Sequence, residues 1–335
     1  MSYKLFLSSI MAASIATAGL ADEVNVYSYR QPELIKPLTD AFTAKTGINV
    51  NVAFLKKGMI ERLLAEGDRS PADVILTVDI SRLAGAVDAG LTQAVQSDTM
   101  SANVPADFRD PDGHWWGLTT RARIIYASRD RVPEGEVTTY EDLANPKWAG
   151  RICTRSGTHA YTLGLLSAAI QHMGETGAKT WFEGIKANLA RKPQGNDRAQ
   201  IKAIWAGECD IALGNTYYMG KMLGDPEQVP WATSVRLDFP VFEGSGTHVN
   251  VSGVAMTKSA PNQEQALAFM EFLTSPKAQE IYAEKNFEYP IAPGTNPSDL
   301  VAGWGSFTAD SLNLMEMAAH RADALRIAQE VDFDG

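Results

Sequence analysis

"EVNVYSYRQPELIKPLTDAFTAKTGINVNV", residues 23–52, carries the pattern that decides the fold. EVNVYSY alternates polar and apolar side chains, the period of a half-buried strand. PELIKPLTDAFTAKTG sets apolar residues at helical spacing and stops at Gly47, after which INVNV resumes the strand period. Strand, helix and strand in succession imply parallel pairing with a right-handed crossover, hence an α/β sheet.

The same rhythm continues outward. KGMIERLLAEG reads as a helix ending at Gly67, ADVILTV as a buried strand, and DISRLAGAVDAG as a helix closed by Gly90. "DGHWWGLTTRARIIYASRD" (112–130) breaks it, with two tryptophans, a strand of β-branched residues and a charged turn. A second alternating unit follows: GRICTR, the helices YTLGLLSAAIQHMG and GAKTWFEGIKANL, then DRAQIKAIWAG and CDIALGN. Near the end, HVNVSGVAMTK predicts a strand and SAPNQEQALAFMEFLTSPKAQEIYAEKN two helices. At 335 residues the chain is long for one core, so two lobes are expected.

The first 21 residues, "MSYKLFLSSIMAASIATAGLA", stand outside that pattern. One positive charge, Lys4, precedes an apolar run, and Gly19 and Ala21 fit a cut before Asp22. This is the form of a secretory signal peptide, and the run is short for a membrane span. An exported, soluble mature chain is expected. Removing Lys4 leaves 29 basic residues against 40 acidic, a net charge of −11. An acidic surface argues against nucleic acid or anionic lipid as a partner. The two cysteines, Cys153 and Cys209, each begin an apolar run; in an oxidising compartment they either pair or remain buried thiols.

"GNTYYMGK" (214–221) places adjacent phenols just past the strand CDIAL. On a regular strand neighbours face opposite ways, but irregular backbone beyond it can turn both rings to one point. Such a point lies outside the carboxyl end of a strand, where α/β folds bind ligands. Plain packing is the commoner use of a Tyr–Tyr pair. No nucleophile elbow, zinc helix or phosphate loop is present, so an enzyme is not expected. "GSGTH" (244–248) reads as a tight turn.

The opening segment, the DGHWWGLTTRARIIYASRD crossover and SAPNQEQALAFMEFLTSPKAQEIYAE together resemble a periplasmic solute-binding protein of an ABC importer. That resemblance implies two α/β lobes, each a mainly parallel sheet flanked by helices (the type II periplasmic binding protein arrangement), closing on a ligand between them. The first lobe would take residues 22–121 plus 249–292 and the second 122–248 plus 293–335, with linking strands near Arg121–Tyr126 and Val249–Met256. ICTRSGTHAYTLGLLSAAI, RKPQGNDRAQIKAIWAGECDIALGNTYYMGKML and GTHVNVSG most resemble the ferric-iron-binding proteins, the transferrin-like bacterial iron carriers. The resemblance implies Fe(III) held by Tyr161, Tyr217 and Tyr218, delivery to an inner-membrane permease with its ATPase, and a monomer in the periplasm.

The chemistry agrees. Fe(III) is small, hard and triply charged and favours anionic oxygen. A phenol ionises near 10 in water, and a bound trivalent cation pulls that value far down. Three phenolates cancel three charges. In the first lobe, where relatives offer a ligand, this chain has Gln31 and Pro32, with Tyr29 nearby, so a synergistic anion such as carbonate is expected to fill open positions. By the same resemblance, Arg121 in TTRAR matches an arginine near the site and is the candidate to hold the anion bidentately, with Thr120 adding a hydroxyl; a hinge or surface ion pair is the other reading of Arg121. Arg198 is either a supporting partner or a solvated helix residue. Tyr27 is expected in the core. His159 lies near Tyr161, and a lone histidine is commonly structural. Trp115 and Trp116 either stack on an organic ligand or fill the core. A carrier of an organic solute such as a polyamine, phosphonate or thiamine is the alternative function.

Overall fold

In the computed structural model, residues 22–335 are described; the signal-peptide reading falls on 1–21, outside the described residues. The opening rhythm folds as β1 (Glu23–Ser28), α1 (Pro32–Thr46), β2 (Asn49–Phe54), α2 (Met59–Glu66), β3 (Val74–Thr77) and α3 (Ile80–Asp88), followed by the short α4 (Asp98–Asn103). Proline at the start of α1 suits a position whose N–H has no partner in the helix, and Gly47 ends it at φ 77°. The long β4 (Trp116–Ser128) leads into β5 (Ile152–Cys153), α5 (Ala160–Ala187), α6 (Asp197–Trp205), β6 (Ile211–Asn215), α7 (Tyr217–Leu223), α8 (Val229–Thr233) and β7 (Val235–Asp238). Then come β8 (Val249–Met256), α9 (Gln263–Thr274), α10 (Pro276–Asn286), β9 (Tyr289–Pro290), α11 (Asp299–Ala302), α12 (Leu314–Ala319) and α13 (Arg321–Glu330).

The strands run in the order β2-β1-β3-β8-β4-β6-β5, with β7 and β9 also on β4. β1 is parallel to β2 and β3, and β5 to β6, as strand–helix alternation requires. The middle is antiparallel: β3 with β8, β8 with β4, and β4 with β6, β7 and β9. β8 reaches the sheet from far along the chain rather than through a crossover helix, so nothing constrains it to run parallel.

All 13 residues of β4 are buried, a run of about 40 Å at strand rise. Its first part, Trp116–Ala122, pairs with β8, and Arg123–Ala127 pairs with β6. β4 therefore passes from one sheet to the other, giving a two-lobed α/β molecule. One core gathers Val24, Leu38, Phe42 and Phe269; another gathers Ile124, Ile201, Ala212 and Met222. A third joins Leu83 and Ile75 to Leu163, Trp181, Met317 and Ile327. Trp115 and Trp116 fill two of these cores and do not line the cleft. Cys153 and Cys209 form a disulfide across the start of the β5–β6 pair, with Cα atoms 5.9 Å apart.

Candidate metal centre

α7 begins one residue after β6 ends, so Tyr217 and Tyr218 occupy its first turn, at the carboxyl end of the strand. Gly214 makes room for the approach: a Cβ there would meet Tyr126 Oη at 2.6 Å, and that hydroxyl donates to the carbonyl of Asn215. Tyr161 stands at the second position of α5, whose N-cap is His159; its Nδ1 accepts from the Tyr161 N–H at 3.1 Å. Burial holds His159 down to about 3, so it stays neutral as a cap.

The three phenols converge. Tyr161 Oη and Tyr217 Oη are 3.0 Å apart, and the Tyr217 and Tyr218 rings lie with centroids 4.4 Å apart. They face a cleft of about 390 Å³ shared with Tyr29, Arg30 and Gln31 after β1, Lys56 after β2 and Arg82 on α3. The structure thus brings Tyr161, Tyr217, Tyr218, Arg121, Arg198, Gln31 and Tyr29 to one cavity. Thr120 is buried but does not line it; Thr119, on the opposite face of β4, instead bonds Glu288 in the cleft wall. Tyr27 donates to Glu66 at 2.8 Å and packs in the core, as expected. Tyr29 accepts from the Met59 N–H at 3.0 Å beneath Arg82.

Behind the phenols lies a layer of buried guanidinium groups. Asp197, with no exposed surface, accepts from Arg123 at 2.8 Å, Arg155 at 2.9 Å and the Asn215 N–H at 2.9 Å. Arg155 sits 5.1 Å from the Tyr161 ring centroid. Neither Arg155 nor Asp197 was singled out in the sequence: they lie 42 residues apart, and only the folded cleft pairs them. Arg121 is 2% exposed, yet neither Nη atom has a hydrogen-bond partner, and Asp79 stands 3.9 Å away. A buried cation with unsatisfied donors at a cavity wall is a costly arrangement that an entering anion would relieve.

Burial, reinforced by Tyr161, Tyr218 and Asp197, pushes the Tyr217 phenol well above its ordinary value. Tyr218 is pushed up to about 12, again chiefly by burial. Lys221 is lowered to about 8 by burial and by Arg30. Arg30, Lys56, Arg82, Arg121, Arg198 and Lys221 line the cleft against the single carboxylate of Glu288. Such a wall repels a bare cation and holds it only once phenolates and an added anion supply negative charge. Among the described residues no group of three His, Cys, Asp or Glu is placed to hold a metal, so the phenols are the clustered oxygen donors this cleft offers.

A family model described as a bacterial extracellular solute-binding protein matches residues 69–302. Iron uptake protein A1 of Synechocystis sp. is 45% identical over 320 residues, covering 95% of this chain and 89% of the relative. The apo ferric ion-binding protein A of Pasteurella haemolytica superposes with a TM-score of 0.90 at 49% identity, covering 94% of this chain and 99% of that one. A Trichodesmium protein solved in complex with iron and citrate ligands superposes with a TM-score of 0.89 at 42% identity, covering 93% and 99%.

Proposed function

This chain belongs to the family of bacterial extracellular solute-binding proteins, and on that premise we propose that it captures Fe(III) in the periplasm as the binding component of an ABC importer. It is a carrier and not an enzyme. The observation that carries the reading is the meeting of three phenols at one cavity, two of them 3.0 Å apart, where no carboxylate or histidine cluster competes.

Tyr161, Tyr217 and Tyr218 are the proposed ligands. Each sheds its proton on binding, so three phenolates neutralise the trivalent cargo. Expelling three protons makes apparent affinity fall about a thousandfold for each unit drop in pH at fixed anion. Burial raises the Tyr217 and Tyr218 phenols, so these two ligands are neutral in the iron-free cleft at neutral pH. Arg121 is the proposed holder of the synergistic anion, its free Nη donors suiting two oxygens of carbonate or a carboxylate. Thr120 pairs with Val251 in the sheet and its side chain does not line the cavity, so it is left out of the proposed anion site. Gln31 and Tyr29 reach the cleft; Gln31 offers only a neutral amide, and the Tyr29 hydroxyl already accepts from the Met59 N–H. The lobe division at residues 22–121 plus 249–292 and 122–248 plus 293–335 remains part of the proposal, with β4 and β8 as the links. The permease recognises the loaded, closed form.

The cationic wall weighs against a polyamine or thiamine cargo, whose positive charge has no partner there but Glu288. The test is a visible spectrum of the purified protein titrated with a ferric salt and bicarbonate or citrate. A violet-to-red band that a strong chelator removes supports the reading, and a colourless, metal-free protein overturns it.

A further inference from the structure

α7 is only seven residues long, yet it carries two of the three proposed ligands. Its inner side is fixed by Met219 and Met222, both buried in the second lobe's core. Tyr217, Gly220 and Lys221 share the other side, at spacings of three and four residues. Against that side lies the ring of Phe287: a Cβ built at Gly220 would clash with it, 2.5 Å from Cδ1 and 2.7 Å from Cδ2. Phe287 caps the end of α10, a helix that packs in the first lobe's core through Ala278 and Tyr282. Phe287 and Asp332 are the two non-glycine residues at positive φ among the described residues, and Phe287 stands at φ 59°, ψ 34°. Such a conformation persists only where the surroundings impose it. The imposition is visible one residue on: Glu288 is locked in the cleft wall by Arg30 at 2.9 Å and by Thr119.

We infer that Phe287 is a positioning residue for the iron site: its ring, seated on the backbone of α7 at Gly220, sets where Tyr217 and Tyr218 point. This rests on the ligand assignment above. The ring takes the place a side chain on residue 220 would fill, so the first lobe bears directly on the ligand helix of the second. A glycine at 287 accepts the left-handed backbone without strain and removes only the ring.

The test uses the full mature chain with Phe287→Gly, Gly220→Ala, the Gly220→Ala/Phe287→Gly pair and Phe287→Tyr. In Phe287→Gly the expected result is iron release to citrate at least tenfold faster, a shifted charge-transfer maximum, and faster amide exchange at Met219–Lys221 in the iron-free protein. Gly220→Ala alone should do the same by displacing the ring, the pair should recover part of the loss, and Phe287→Tyr should keep wild-type release. Wild-type release and an unmoved band in both single variants overturn the inference. If the wild-type protein takes up no iron, the ligand assignment has failed, and the exchange rates alone then decide whether the ring holds α7; unchanged exchange overturns it.

Discussion

Asp197→Asn replaces a buried carboxylate that faces two buried arginines. Arg123 Nη1 is 2.8 Å away and Arg155 Nη1 2.9 Å, and the Asn215 N–H completes the shell at 2.9 Å. Both oxygens are acceptors, so an amide must turn its NH2 toward a donor on one side. It also leaves the guanidinium charges uncompensated, since Arg123 and Arg155 are 2% and 9% exposed. Removing one partner of a buried pair costs about 3–5 kcal/mol. Unfolding entropy near 2.1 cal/mol/K per residue over roughly 300 residues is about 0.6 kcal/mol/K, so Tm should fall by about 5–8 °C. The site should suffer as well, because Arg155 leans on Tyr161 and Asn215 ends the strand that launches α7. Differential scanning fluorimetry of the iron-free protein reads the first effect, and chelator competition reads the second as faster iron release. Arg155→Met on the Asp197→Asn background should recover part of the stability by deleting one orphaned charge. A Tm within 1 °C of wild type would show that the layer is not what holds this wall together.

The Cys153–Cys209 bridge closes a loop of 56 residues, which the chain-entropy relation makes worth about 4 kcal/mol; a Cys153→Ala/Cys209→Ala protein should unfold about 6 °C lower, and reductant should lower wild type alone. His248 is fully buried and held down to about 3 by desolvation, against 6.5 unfolded. The folded state binds fewer protons, so this contribution is whole above pH 6.5 and is lost as pH falls toward 3, by up to about 1.4 kcal/mol per unit. His248→Gln should flatten denaturant midpoints across that window, and an unchanged slope would assign the acid sensitivity elsewhere. Arg121→Met should lower iron retention at least tenfold and abolish its dependence on added bicarbonate or citrate, read by competition titration; retained anion dependence would place the anion elsewhere.

The parallel parts of the sheet were legible because strand and helix periods alternate without interruption from Glu23 to Gly90, with Gly47 and Gly90 as stops. The two helices expected around Gly174 are there, joined through that residue at φ 70°, ψ 167°. The Tyr217–Tyr218 pair was visible as phenols just past a strand, but its joining with Tyr161, eight residues beyond β5, came from the family resemblance and not from local placement. The antiparallel centre was not, because the direction of β8 depends on where a distant segment returns. Nor was the guanidinium layer: Arg123, Arg155 and Asp197 come from a long strand, a loop and a helix start, and no spacing in the chain links them. Thr120 illustrates the limit at one residue. The resemblance put both Arg121 and the Thr120 hydroxyl at the anion, but strand alternation sets Arg121 on the cavity side and the Thr120 side chain away from it.

Resonance Raman on the ferric-loaded protein, excited in its visible band, reports the ligands themselves. Bound phenolates give tyrosine ring modes that weaken stepwise in Tyr161→Phe, Tyr217→Phe and Tyr218→Phe and vanish in the triple variant together with stoichiometric iron. A triple variant that still held one ferric ion per chain would contradict the account at its root.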